Sequence, residues 1–201
     1  MRLSRILSPL VLASFCFLIS NLKPVYAQVL LINVSNPSAV TFTGTGAFAE
    51  ANFTGDGGAR QIRLDLFFVN DVGASGQGAT SSTLVTYDAP TPLNNAIVRP
   101  GAAGPKTLIL TSFSGELQNF SVSAAAFSGV ATFDLSDWAS SLPSPGASGN
   151  IGAFNESNST SAIIGTYSIV AVPEPSTYAL VGGLGCLAFA LWRRKTRHSR
   201  V

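Results

Sequence analysis

The chain has 201 residues, 46% hydrophobic and 11% charged, with mean hydropathy +0.35 and a formal net charge of +2. Residues 28–172 keep four of the 12 cations (Arg60, Arg63, Arg99 and Lys106) against nine carboxylates, a net charge of −5, which leaves no basic footprint for nucleic acid. The same stretch has no His or Cys, which excludes Ser/His/Asp and Cys/His nucleophiles, imidazole or thiolate metal sites, and disulfides.

At the N-terminus, Arg2 and Arg5 precede an apolar stretch over residues 6–19, and Val25-Tyr26-Ala27 supplies a small-x-small pattern. This is the layout of a secretory signal peptide over residues 1–27, cut after Ala27 to leave Gln28 as the mature terminus. Cys16 follows bulky Phe15, where a lipidation signal needs a small residue, so no lipid anchor is expected.

Residues 28–171 are expected to form one exported all-β domain, long enough for a single core. Residues 62–68 alternate, with Ile62, Leu64, Leu66 and Phe68 inward and Arg63 and Asp65 outward. Leu108 and Leu110 repeat the pattern within residues 106–112, as do Ala131, Phe133 and Leu135 within residues 130–135. Further strands are predicted near residues 29–34, 40–53, 82–87, 120–126 and 161–171. Turn-rich clusters separate them at residues 54–58, 72–78, 90–92, 100–105 and 143–146. Residues 136–142 read as a brief helical turn with Trp138 inward or as a surface loop, and residues 143–160, dense in Gly, Ser and Asn, as a loop. Roughly eight or nine short strands at this spacing predict a single antiparallel β-sandwich or jelly-roll-like ectodomain.

Candidate chemistry within the domain is sparse. Asp134 with Asp137, and Glu50 with Asp65, are the carboxylate pairs that glycosidase chemistry would need about 5–9 Å apart. Asp56 within residues 52–58, Asn70 with Asp71, and Asp134 with Asp137 offer oxygens to calcium. They lack the one-apart spacing of a dedicated loop, and turn formation accounts for them. Sequons begin at Asn33, Asn52, Asn119, Asn155 and Asn158, and are read as a consequence of polar composition. No catalytic residue, metal or cofactor is expected, and the domain is read as a non-enzyme.

The C-terminus carries the densest signal. Val172-Pro173-Glu174-Pro175-Ser176-Thr177 leads into an apolar run ending at Trp192, followed by Arg193, Arg194 and Lys195, with Arg197 and Arg200 beyond. Pro173 and Pro175 fix φ and lack amide donors, so they hold Glu174 in an extended segment that neither a sheet nor a helix absorbs. Residues 176–192 are predicted to form a short transmembrane helix, spanning roughly 25 Å against a hydrocarbon core of about 30 Å. Arg193, Arg194 and Lys195 then act as a stop-transfer block that keeps residues 193–201 in the cytoplasm.

In order and spacing, the Pro-Glu-Pro, apolar and basic blocks of residues 172–201 resemble the PEP-CTERM domain of bacteria. The resemblance implies an exosortase-type membrane protease as partner, with Pro173, Glu174 and Pro175 serving as substrate rather than catalyst. It implies a transient membrane anchor as well: export across the inner membrane of a Gram-negative bacterium, with the C-terminus cytoplasmic, then delivery to the cell surface or outside the cell. A link to exopolysaccharide and biofilm comes with it.

Two function classes follow. The first is a non-enzymatic surface or matrix protein; the second is a secreted carbohydrate-binding module or carboxylate glycosidase carrying the same tag. Sugar sites generally need exposed rings. Beyond Trp138, Tyr87 and Tyr167, every ring of residues 28–172 is Phe, which usually packs in cores, so the first class is preferred.

Overall fold

The structure, a computed structural model, describes residues 26–53, 60–89, 91–114, 116–155 and 159–171. The strands in the first half are β1 (Gln28–Asn33), β2 (Val40–Gly44), β3 (Gln61–Leu64), β4 (Ser75–Ser82) and β5 (Val85–Thr86). Those in the second are β6 (Asn95–Val98), β7 (Leu108–Thr111), β8 (Phe127–Ser128), β9 (Val130–Phe133), β10 (Ser148–Asn155) and β11 (Thr160–Val170). Alternation explains most of them. Leu30 and Ile32 of β1, Ile62 and Leu64 of β3, Leu108 and Leu110 of β7, and Ala131 and Phe133 of β9 are all fully buried.

Nine strands are hydrogen-bonded in the order β1-β11-β10-β3-β7-β6-β4-β9-β2, and β2 pairs back to β1, so the sheet closes into a barrel. β5 and β8 form a separate two-stranded ladder. One neighbouring pair in the ring, β1 with β11, is parallel, with Leu31 beside Ser168 and Asn33 beside Val170. The other ring pairs are antiparallel.

The expected antiparallel sandwich or jelly roll is therefore corrected to a closed mixed barrel. Two wall strands, β4 and β10, arise largely from segments whose Gly, Ser and Asn content predicted turns and loops. β4 (SGQGATSS) has no apolar residue larger than alanine, yet it pairs with β6 on one side and β9 on the other. β10 likewise bridges β3 and β11. Such strands are held by the ladders of their neighbours rather than by their own propensity. Alternation is also the same on a sandwich face and on a barrel wall, so it does not encode closure.

β3 is shorter than expected. The Tyr167 hydroxyl donates to the Asp65 carbonyl at 3.0 Å, and the chain then turns with Leu66 at a left-handed φ of 54°. Leu66, expected inside, is 76% exposed, whereas Phe67 and Phe68 both enter the core. There Phe67 lies 6.2 Å from Phe42, and Phe42 meets Phe133 edge-on at 5.4 Å. Phe68 packs edge-on against Trp138 at 5.5 Å, and Trp138 is carried inward by the 3-10 helix Ser136–Ser141. Such ring pairs contribute about 0.5–1.5 kcal/mol each beyond the area they bury.

The expected membrane attachment is corrected too. Among the described residues no helix is long and apolar enough to cross a membrane, and residues 176–192 lie outside the described residues. The transient membrane anchor and the cytoplasmic C-terminus, which both rested on that helix, are withdrawn.

Two glycines separate backbone strain from close contact. Gly129 (φ +85°) approaches β-strand neighbours so closely that a Cβ would sit 2.2 Å from the Thr83 carbonyl oxygen, while Gly146 (φ +91°) faces open space. Gly146→Ala is expected to cost about 1–2 kcal/mol from backbone strain alone. Gly129→Ala should cost clearly more, read as a lower urea midpoint, and equal losses would contradict the tight β8–β9 corner.

Candidate functional site at the two junctions

The two ends of the barrel domain are built into its wall. β11 runs to Val170, where the ladder ends opposite Asn33, and the Ile169 amide is still held by the Ala147 carbonyl at 2.8 Å. Only Ala171 and Val172 then separate the barrel from Pro173. Pro173, Glu174 and Pro175, together with Arg193, Arg194 and Lys195, lie outside the described residues.

The N-terminal junction is described in full. The Ala27 amide donates to Glu50 Oε1 at 2.6 Å, and its carbonyl accepts from the Thr166 amide at 2.9 Å and from Thr166 Oγ1 at 3.2 Å. Gly165 permits this approach, since a Cβ there would stand 2.8 Å from the Ala27 oxygen. Gln28 follows as the first residue of β1, exposed, with its carbonyl accepting from Thr45 Oγ1 at 2.8 Å. Because β1 and β11 run parallel, Ala27 and the last residue of β11, Val170, lie toward opposite ends of β1. Its six residues span roughly 20 Å.

The carboxylates expected to be candidates are occupied elsewhere. Asp134 accepts from the Ser136 amide at 3.0 Å and from Ser136 Oγ at 2.6 Å, and these bonds, the hydroxyl's first, hold its carboxyl below the usual range. A general acid needs the opposite shift. Asp137 accepts from Gln77 Nε2 at 2.8 Å, and Glu50 is bonded to Ala27. Asp65 lies at the surface, yet neighbouring strands shield its carboxyl and push its pKa up, with the Arg63 guanidinium pulling the other way.

The candidate calcium ligands are engaged in contacts between distant segments: Asn52 Oδ1 accepts from the Val122 amide at 3.0 Å, and Asn70 Nδ2 donates to the Ser140 carbonyl at 3.4 Å. Asp56 lies outside the described residues. Among the described residues no group of three or more His, Cys, Asp or Glu side chains is placed to hold a metal.

One cluster escaped the sequence reading. Arg63 stacks over the Phe154 ring with its guanidinium carbon 3.6 Å from the centroid, while its Nε and Nη2 donate to Gln61 Oε1 at 3.0 and 2.9 Å. Alternation put Arg63 outward, but Phe154 fell in an expected loop, so no sequence signal joined them.

After two intervening residues, the last barrel strand is followed in the sequence by Pro173-Glu174-Pro175. Residues 171–195 match the PEP-CTERM protein-sorting motif, and the chain is a PEP-CTERM sorting-domain protein. No curated protein and no solved structure matches it.

Tyr167 carries a pH signature of the β3–β11 contact. Burial first, and the Asp65 charge second, raise its pKa to about 12, against about 10 for an unfolded tyrosine. Its contribution to stability should be complete below about pH 10 and lost as pH rises through about 12. Phenolate absorbance should show this delayed ionisation, and Tyr167→Phe should remove it at a cost of about 1 kcal/mol near neutral pH.

Proposed function

We propose that this chain is an exported, non-enzymatic cargo recognised at its C-terminal motif by an exosortase-type protease and delivered to the cell surface or extracellular matrix, in association with exopolysaccharide. The observation that carries the reading is the match of residues 171–195 to the sorting motif, beginning one residue after the last barrel strand. Pro173, Glu174 and Pro175 are the residues the protease reads. Two prolines have no amide donors to extend the β11 ladder, which favours recognition by an enzyme over absorption into the sheet. The absence of His and Cys from residues 28–172, together with the engagement of Asp134 by Ser136 and of Asp137 by Gln77, supports a structural rather than catalytic body.

The leader is removed after Ala27, before the barrel closes. A peptidase needs its substrate extended and unpaired, whereas the folded barrel bonds both backbone groups of Ala27. The order of events is therefore cleavage, then docking of β1 between β2 and β11.

Two outcomes test these steps. In the native host, intact mass should show a shortened wild-type product and a full-length Glu174→Ala product; identical masses for the two would defeat the assignment. Separately, signal peptidase added before refolding should cut the full-length chain to begin at Gln28, and the refolded chain should resist it. Equal cutting of both would show that closure does not protect the junction.

A further inference from the structure

Three of the four cations of residues 28–172 gather on one side of the barrel, although the domain as a whole is acidic. Arg60 precedes β3, Arg63 lies within it, and Arg99 follows β6. The register places the outward residues of β3, β7 and β6 side by side. Arg63 lies opposite Ile109 and Ile109 opposite Ile97, and in the next row Thr111 lies opposite Asn95. A groove of about 260 Å³ crosses this face, lined by Arg60, Gln61, Asn95, Arg99, Thr111 and Phe113 among others.

Phe113 is the unusual member. Phe42, Phe67, Phe68, Phe120, Phe127 and Phe133 are essentially buried, whereas Phe113 is 67% exposed and Phe48, which does not line the groove, 58%. Its position is set by the fold: its amide donates to Asn94 Oδ1 at 2.8 Å, and its ring rests over Gly78 of β4, where a Cβ would contact the ring at 3.4 Å. The glycine-rich composition of β4 thus leaves room for an aromatic platform on the outer wall.

We propose that this groove binds a carboxylated glycan, with Arg60 and Arg99 receiving carboxylates, Phe113 stacking against the apolar face of a sugar ring, and Asn95 and Thr111 bonding its hydroxyls. Guanidinium groups match carboxylates in geometry and charge, and an exposed ring beside them supplies the apolar contact that a simple anion would not use. On the other side of β3, a second groove of about 320 Å³ differs: it includes the Asp65 carboxylate, and the Arg63 guanidinium already covers the Phe154 ring, so the proposal is confined to the first groove. The net charge of −5 on residues 28–172 opposes a polyanion at long range, so the contact rests on the local pair Arg60 and Arg99.

The inference deepens the surface reading above and rests on it only for where the ligand is met. Affinity electrophoresis of the full-length protein through polygalacturonate and through neutral dextran tests it. Polygalacturonate should retard the wild type, less so as salt rises, and dextran should not. Arg60→Gln, Arg99→Gln and Phe113→Ala should each weaken binding about tenfold, while Phe113→Tyr should retain it and report that the fold is intact.

Absence of retardation, equal retardation by dextran, or retardation unchanged in all three weakened variants would overturn the proposal. Product mass in the native host separates the two readings. A protein that is trimmed but does not bind leaves sorting standing and sinks the groove, and one that binds but is not trimmed does the reverse.

Discussion

The parallel contact between β1 and β11 holds this architecture together. It joins the first and last strands of the domain, with Gln28 beside Thr166 at one end of the ladder and Asn33 beside Val170 at the other. Closing so long a loop carries an entropic cost that only the completed set of ladders and the packed interior can offset. Once made, the contact removes the two free edges that an open sheet would present, so no wall strand is left as a template for another chain. That matters for a domain whose residues 28–172 contain no cysteine and so cannot be stapled by disulfides.

The same contact ties architecture to processing. Because the two strands run in the same direction, the start of β1 and the end of β11 lie toward different ends of the ladder. In a chain that still carries Ala27, the closed barrel bonds both backbone groups of that residue, whereas Pro173 and Pro175 have no amide donor to give to a ladder.

The outer wall shows how strand composition controls what a barrel can display. β4 brings small residues to the ring, and Gly78 leaves space for the Phe113 ring on the surface. Bulky residues at those positions would fill that space. Across β3, the Arg63 guanidinium lies flat on Phe154 and is pinned by Gln61, so an otherwise flexible cation is held in place. Rigid presentation of rings and guanidinium groups lowers the ordering cost of binding.

What the sequence determined by itself is what depends on neighbouring residues. Alternation located β3, β7 and β9, a brief turn with Trp138 inward was one of two readings of residues 136–142, and the order of Pro173, Glu174, Pro175, an apolar run and a basic block identified the sorting motif. The tertiary structure decided what depends on partners distant in the chain. It made strands of residues with poor strand propensity in β4 and β10, and turned Leu66 outward where Tyr167 captures the Asp65 carbonyl. It also clamped Ala27 between Glu50 and Thr166, and gathered Arg60, Arg99 and Phe113 around one groove. The physical reason is that periodicity records which side of a strand is apolar, whereas closure is set by which edges find each other. That choice is made by hydrogen-bond ladders whose donors and acceptors are the same in every residue except proline.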